Sequence, residues 1–416
     1  MTAEVSEFRR GWRSVAAAFF VGGCGVASLP FFTMGVFTKP LGEAFGWSRA
    51  ETQGFLTFLT AGVLVGSPLA GWLMDRIGVR RVTMFAVLAL AAGLAALGAL
   101  TTSLTSFYVI AALTAFFGAG TTSVCYSRVV ISWFERHRGF ALGLAISGPG
   151  LAGILAPVYA TWLVETQGWR AGYFGIAVLP VALALPAAYV WLRLRPAAAT
   201  EALRPAEHAG LTFGQAIRSY RMWVIGLGFF LFCSGTGGLI PHMIPLLTDR
   251  GLSGGEAARI AGISGLAVLF GRVAGGWLLD RFWAPAVAAV VVGSPAVFCL
   301  ALGLGFGLGG DGQSLVVETA VAIGLAAGAE FDIVAYMVSK YFGLKAYGLI
   351  YGALYGFFVC GTAVAPPLFG WLFDTRGNYD VALITAGAAF GLGALIVLTL
   401  GRYPNLPQSS ADERGT

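Results

Sequence analysis

An all-α membrane protein of twelve transmembrane helices, arranged as two pseudo-symmetric six-helix halves, is the fold class this sequence predicts. Three observations carry it. Apolar blocks are long enough to span a bilayer, basic residues are distributed one-sidedly between them, and the chain repeats itself after about two hundred residues.

The blocks come first. Of 416 residues, 57% are hydrophobic and 11% charged. A soluble domain carries about 25% charged residues. The runs Met84 to Leu100, Phe174 to Val190 and Ala284 to Gly309 hold no charged side chain at all. Crossing the hydrocarbon core takes about 20 predominantly apolar residues at about 1.5 Å each. A core helix of a soluble protein needs only one apolar stripe, whereas these segments are apolar all round. Twelve spans result, at 14–38, 53–74, 82–102, 106–134, 139–164, 171–192, 222–247, 257–279, 284–308, 315–339, 347–372 and 380–401. The stretch 193–221, rich in Ala, Pro, Glu and Arg, separates a first half (1–192) from a second (222–402), and 403–416 forms a tail.

The charges follow. With the N-terminus inside, eighteen loop cations fall on the inner side and six on the outer, so both termini are expected in the cytoplasm. The +6 net charge sits in short clusters between apolar blocks, with no basic stripe, which argues against nucleic acid. The five cysteines (Cys24, Cys125, Cys233, Cys299, Cys360) lie in apolar segments without a C-x-x-C pair and read as small core residues. The first apolar run is long and lacks a small-residue cleavage site, so it reads as a span and not a signal peptide.

The repeat completes the case. Gly-Trp-Leu-Met-Asp-Arg at 71–76 recurs as Gly-Trp-Leu-Leu-Asp-Arg at 276–281. Ala156-Pro157, Trp162-Leu163, Glu165-Thr166 and Gly168 recur as Ala365-Pro366, Trp371-Leu372, Asp374-Thr375 and Gly377. Both halves therefore run the same way through the membrane.

The loop Gly71-Trp72-Leu73-Met74-Asp75-Arg76-Ile77-Gly78-Val79-Arg80-Arg81 resembles the G-x-x-x-D-R-x-G-x-R-R signature of the major facilitator superfamily. Asp75 suits a helix end, and the arginines suit acidic groups or helix C-termini. The resemblance implies a gate formed by Asp75, Arg76, Gly78, Arg80 and Arg81, with Asp280 and Arg281 as repeat counterparts. Arg138-Gly139, Gly143, Gly148-Pro149-Gly150 and Gly153 resemble the family's Gly/Pro-rich fifth helix, where small residues permit close approach and bending.

Within that family, three stretches resemble the bacterial monocarboxylate and oxalate/formate branch. They are Phe37-Thr38-Lys39-Pro40 to Phe45-Gly46-Trp47-Ser48-Arg49, then His242 with Pro245, Thr248-Asp249 and Gly251-Leu252-Ser253, and Gly328-Ala329-Glu330-Phe331-Asp332 leading to Ser339-Lys340-Tyr341-Phe342-Gly343. Some oxalate-type members carry a lysine in the eleventh span. Here that span has Tyr351 and Tyr355 and no lysine, which argues against dicarboxylates.

A charge inside the bilayer costs roughly 2.5–3.5 kcal/mol even on the lenient insertion scale, so each needs a reason. Arg128 lies about 9 Å from the inner end of span four, Arg272 about 12 Å up span eight, and Asp332 and Glu330 about 12 and 15 Å up span ten. Spans one, four, seven and ten line a central cavity in this family. The expected mechanism is a carboxylate held by the guanidinium of Arg272 or Arg128, with Tyr126, Tyr336, Tyr351 and Tyr355 as further donors. Asp332 or Glu330 takes the coupling proton, because withdrawal from water disfavours an ionised carboxylate. Being two apart, they point about 200° from each other and cannot both face one site. His242 is a candidate pH sensor or substrate contact, against a hydrogen-bonded structural role. Arg128 also suits snorkelling to the interface, and tyrosines near span ends suit interfacial anchoring.

The expected function is proton-coupled symport of a small carboxylate by a monomer in a bacterial inner membrane. Anion exchange of the oxalate/formate type and drug or metabolite efflux stand as alternatives. Gly148 to Gly153 and Gly305 to Gly310 fit G-x-G-x-x-G, but neither follows a strand, so no dinucleotide site is expected. No cofactor, metal or enzymatic constellation is expected either.

Overall fold

The computed structural model describes residues 2–134, 138–193, 210–306, 312–343 and 345–404. Among them every regular element is helical. The solvent dictates this: in hydrocarbon each backbone polar group needs a partner within its own segment, and a helix supplies it.

The first half contains α1 (Thr2–Gly23), α2 (Leu29–Phe45), α3 (Arg49–Ile77), α4 (Val79–Leu100), α5 (Leu104–Gly118), α6 (Ser123–Trp133), α7 (Arg138–Ile146), α8 (Gly148–Gln167), α9 (Trp169–Leu179) and α10 (Leu185–Trp191). The short α11 (Phe213–Arg218) precedes α12 (Tyr220–Asp249), α13 (Gly254–Leu279), α14 (Ala284–Val287), α15 (Pro295–Gly303), α16 (Gly312–Phe342), α17 (Tyr347–Arg376) and α18 (Asp380–Leu398). Gly46, Gly78 and Gly168 take φ values of 72°, 91° and 85° at reversals between helices, a region that only glycine enters freely.

Among the described residues, eleven helical segments are long and apolar enough to cross a membrane. The crossing expected at 14–38 is the twelfth, and it is broken at Cys24 to Ser28 into α1 and α2. Helix α2 has only 17 residues, and α1 begins with Glu4, Glu7, Arg9, Arg10 and Arg13. The fourth span is broken too, by a 3-10 turn at Ala119–Thr121. The fourth span's break serves the first, which also closes on itself. Val26 N–H donates to Thr121 Oγ1 at 3.0 Å, and Ser28 Oγ donates to Gly22 O at 2.6 Å. Irregular backbone at membrane depth persists only with such partners.

Many large apolar side chains point outward. Val273, Val290 and Val297 are exposed to 75%, 71% and 70%, as a lipid-facing surface requires. Cys360 corrects the expectation of five core cysteines: four are buried, but Cys360 is exposed. It shares an outer stripe of α17 with Leu349, Val364 and Trp371, where a thiol is as acceptable to lipid as a methyl.

Contacts divide the chain into two compact units. Unit one comprises the described residues of 1–202, 240–266 and 366–375, and unit two those of 203–239, 267–365 and 376–416. Unit one therefore includes the ends of α12 and α17 and the start of α13, packed with helices of the first half. These ends, marked by Gly46 to Ser48, Gly168 and Asp249 to Ser253, are termed distal below.

Candidate functional site

In unit two, α13 and α16 meet backbone to backbone. A Cβ on Gly271 would strike the carbonyl of Leu325, and one on Gly328 would strike that of Val268. Small residues recur every fourth position on both helices, Gly271 with Gly275 and Gly324 with Gly328, which is the spacing that lets helices close in lipid. This approach sets Arg272 of α13 against Asp332 of α16, with Nε to Oδ2 at 3.8 Å. The separation is an ion pair but too long for a direct hydrogen bond. Asp332 keeps 39% of its side chain exposed and Arg272 16%, so both can meet a solute.

Glu330 points elsewhere. It is 5% exposed and turned toward α12, where Thr236 Oγ1 and Cys233 Sγ donate to its Oε2 at 3.1 and 3.6 Å. The 100° step of the helix thus splits two neighbouring carboxylates between two environments. Tyr351 of α17 lies within electrostatic reach of Asp332 and Arg272 and stacks on Tyr347 with ring centroids 5.9 Å apart. Tyr355, 38% exposed, packs with Phe358 at 5.1 Å and Phe331 at 6.2 Å. Tyr336 sits a turn beyond Asp332 with the ammonium of Lys340 over its ring at 5.3 Å.

Gly328→Val is expected to force α16 from α13 and to destabilise the protein by about 1–3 kcal/mol, as overpacking does. Thermal melting of the detergent-solubilised protein checks this. An unchanged melting temperature would mean the contact tolerates spreading.

Other expected site residues lie in unit one. Tyr126 of α6 is 2% exposed, and a Cβ on Gly22 of α1 would stand 2.7 Å from its hydroxyl. Arg128 falls on the same helix, but its side chain is outside the described residues. His242 is fully buried on α12, with Nε2 at 2.8 Å from Pro366 O. A carbonyl only accepts, so Nε2 carries the proton, and the bond ties α12 to α17.

In the signature loop, Asp75 is outside the described side chains. Arg76 lies over Trp72 at 3.9 Å and Arg80 over Tyr189 at 4.5 Å. Arg281 repeats the first contact over Trp277 at 4.0 Å, so the sequence repeat extends to side-chain geometry. Gly78 supplies the turn with its positive φ, while Arg81 and Asp280 are exposed. These cations face aromatic rings, a cation–π arrangement that spacing alone does not disclose.

One cluster was missed as a site by sequence reasoning. At the distal end, Asp249 of α12 holds Lys39 Nζ and Arg49 Nη1, each at 2.6 Å, and the Arg49 guanidinium lies 3.5 Å from the Phe373 ring centroid. In the sequence Lys39, Arg49 and Asp249 appeared as parts of the stretches that resemble the branch and, for the two cations, as loop charges; their pairing was not legible because the partners are some two hundred residues apart.

Fold, repeat and intramembrane charges together define a helical membrane carrier. The Major Facilitator Superfamily model matches residues 15–342. The chain is similar to "Monocarboxylate transporter 11" of Mus musculus, 29% identical over 94% of this chain and 88% of that one. It is equally similar to "Monocarboxylate transporter 13" of Rattus norvegicus, 29% identical over 94% and 89% of the two chains. Its fold resembles that of a D-xylose-proton symporter, with a TM-score of 0.71 at 15% identity over 95% of this chain and 98% of that one. The chain belongs to the Major Facilitator Superfamily. It is a multi-pass membrane transporter, not an enzyme.

Proposed function

We propose that this transporter carries small monocarboxylates by proton-coupled symport across a bacterial inner membrane, as a monomer with both termini cytoplasmic. The observation that carries the reading is the pair Arg272–Asp332 inside two spans. An ionised Asp332 occupies the guanidinium. Protonation of Asp332 removes its charge and frees Arg272 to grip a carboxylate as a fork. The loaded site is then neutral and cheaper to enclose than an empty charged one, which couples proton and anion. Tyr351 and Tyr355 border this wall and can donate to the anion or pack its apolar body. The relatives named monocarboxylate transporters support this substrate class.

In the same reading, the six-helix halves 1–192 and 222–402 are the moving parts and 193–221 is their linker. The loops of Asp75 to Arg81 and Asp280–Arg281 gate the cytoplasmic side, where the excess of cations also favours an inward orientation.

Uptake of a radiolabelled carboxylate panel into proteoliposomes tests the proposal, with and without an inward proton gradient. One monocarboxylate accumulating only under the gradient is the expected result. Uptake that requires a second anion preloaded in the lumen would replace symport with exchange. No uptake of any carboxylate would overturn the substrate class.

A further inference from the structure

The distal end of unit one contains a device that repeats with the chain. Helices α3 and α13 start at equivalent positions of the two halves, and both open with a reciprocal capping box. In α3, Ser48 N–H donates to Glu51 Oε2 at 2.8 Å and Glu51 N–H donates to Ser48 Oγ at 3.2 Å. In α13, Ser253 N–H donates to Glu256 Oε2 at 2.9 Å and Glu256 N–H donates to Ser253 Oγ at 3.3 Å. A capping box satisfies the first and fourth N–H groups of the turn and leaves the two between them open.

For α3 those two are filled from far along the chain. Arg49 N–H and Ala50 N–H donate to Asp374 Oδ1 and Oδ2 at 3.0 and 2.9 Å. Asp374 stands at the end of α17. Its repeat counterpart is Glu165, at the end of α8. Glu165 Oε1 lies against Gly254, the first residue of α13, so closely that any Cβ there would strike it. Each carboxylate thus ends a helix of one half and meets the first turn of a helix of the other.

Three of the surrounding contacts are backbone to backbone. A Cβ on Gly370 would stand 2.5 Å from Ala50 N, one on Gly35 2.5 Å from Pro241 O, and one on Gly265 2.5 Å from Gly153 C. Side chains join the same surfaces: Asp249 pairs with Lys39 and Arg49, whose guanidinium lies over Phe373. A carboxylate on a helix N-terminus is favoured by the N–H donors and the macrodipole. Near water both partners regain solvation when parted, so the net strength of such a bond is modest and reversible.

We propose that Asp374 and Glu165 are paired positioning residues that latch the distal end shut, and that the transport cycle must release both. The inference rests on membership of the transporter family and not on which anion is carried.

A thiol reporter tests it without any substrate. Thr38 of α2 is 2% exposed and lies in the latched region, where Gln53 Nε2 donates to its hydroxyl at 2.9 Å. In full-length protein with the five native cysteines replaced by serine, Thr38→Cys is treated in proteoliposomes with a membrane-impermeant maleimide. Asp374→Ala is expected to raise the labelling rate about tenfold, the scale of a lost charge-assisted hydrogen bond, and Glu165→Ala to raise it by a smaller factor. Combined, they should raise it further. Asp374→Glu, which keeps the charge, should stay close to the parent. Should Asp374→Ala fail to fold, Asp374→Asn keeps the shape and removes the charge, and it too should label faster. Unchanged labelling in folded single and double variants would overturn the latch and leave the carboxylates as static caps. The uptake panel can fail while this labelling succeeds, so the two proposals fail separately.

Discussion

Arg272→Ala is expected to reduce saturable carboxylate uptake by at least about tenfold, the lower end of what a hydrogen bond to a charged group contributes. Two losses combine. The anion loses its guanidinium, and Asp332 loses the counter-charge that stands 3.8 Å away. Arg272→Lys should recover only part of the activity, since a point charge on a flexible stem cannot offer two parallel N–H donors. Initial rates in proteoliposomes against substrate concentration, with melting curves as the folding control, check both variants. Uptake unchanged in Arg272→Ala would move the anchoring role to Arg128 on α6.

Asp332→Asn is expected to uncouple transport from protons. Asparagine has the shape of the neutral acid and cannot ionise, so it mimics the protonated state permanently. The variant should exchange labelled for unlabelled anion at a rate independent of pH. It should no longer concentrate substrate under a gradient. For a symporter moving one proton per anion, one pH unit supports about tenfold accumulation, equivalent to about 1.4 kcal/mol. Asp332→Asn should stop at equilibration instead. The sign is fixed by the pair. In the parent, raising pH ionises Asp332 and engages Arg272, so uptake falls with rising pH, whereas in Asp332→Asn it stays flat. Glu330→Gln is the companion. Glu330 faces the donors Thr236 and Cys233 and is walled off, so this change should lower the melting temperature and leave the pH profile intact. Coupling lost in Glu330→Gln and kept in Asp332→Asn would exchange their roles.

How far the site could be read from sequence depends on the kind of information. Arg272, Asp332 and Glu330 stood out because a charge in an apolar block is costly. Which carboxylate faces the arginine was not readable, since the two lie on opposite sides of α16 and only its packing decides between them. The stripes Gly271/Gly275 and Gly324/Gly328 hinted at the close contact but not at their mutual pairing. The distal ion pairs of Asp249 were hidden by distance along the chain: Lys39, Arg49 and Asp249 stood in separate stretches that resemble the branch, with nothing to show that they meet. The paired capping boxes Ser48/Glu51 and Ser253/Glu256 were a signal that could have led there.

The sequence by itself determined the solvent, the number of crossings, the parallel repeat and the family. Each rests on a property of chain segments taken one at a time: length, hydropathy, loop charge and recurrence. Tertiary structure alone decided that the first and fourth spans break, with Thr121 of the fourth holding Val26 of the first. It also turned Asp332 to Arg272 and Glu330 to Thr236, and set Asp374 and Glu165 on helices of the opposite half. These are contacts between segments, governed by rotation about helix axes and by which backbones lie close, and no single segment carries that information.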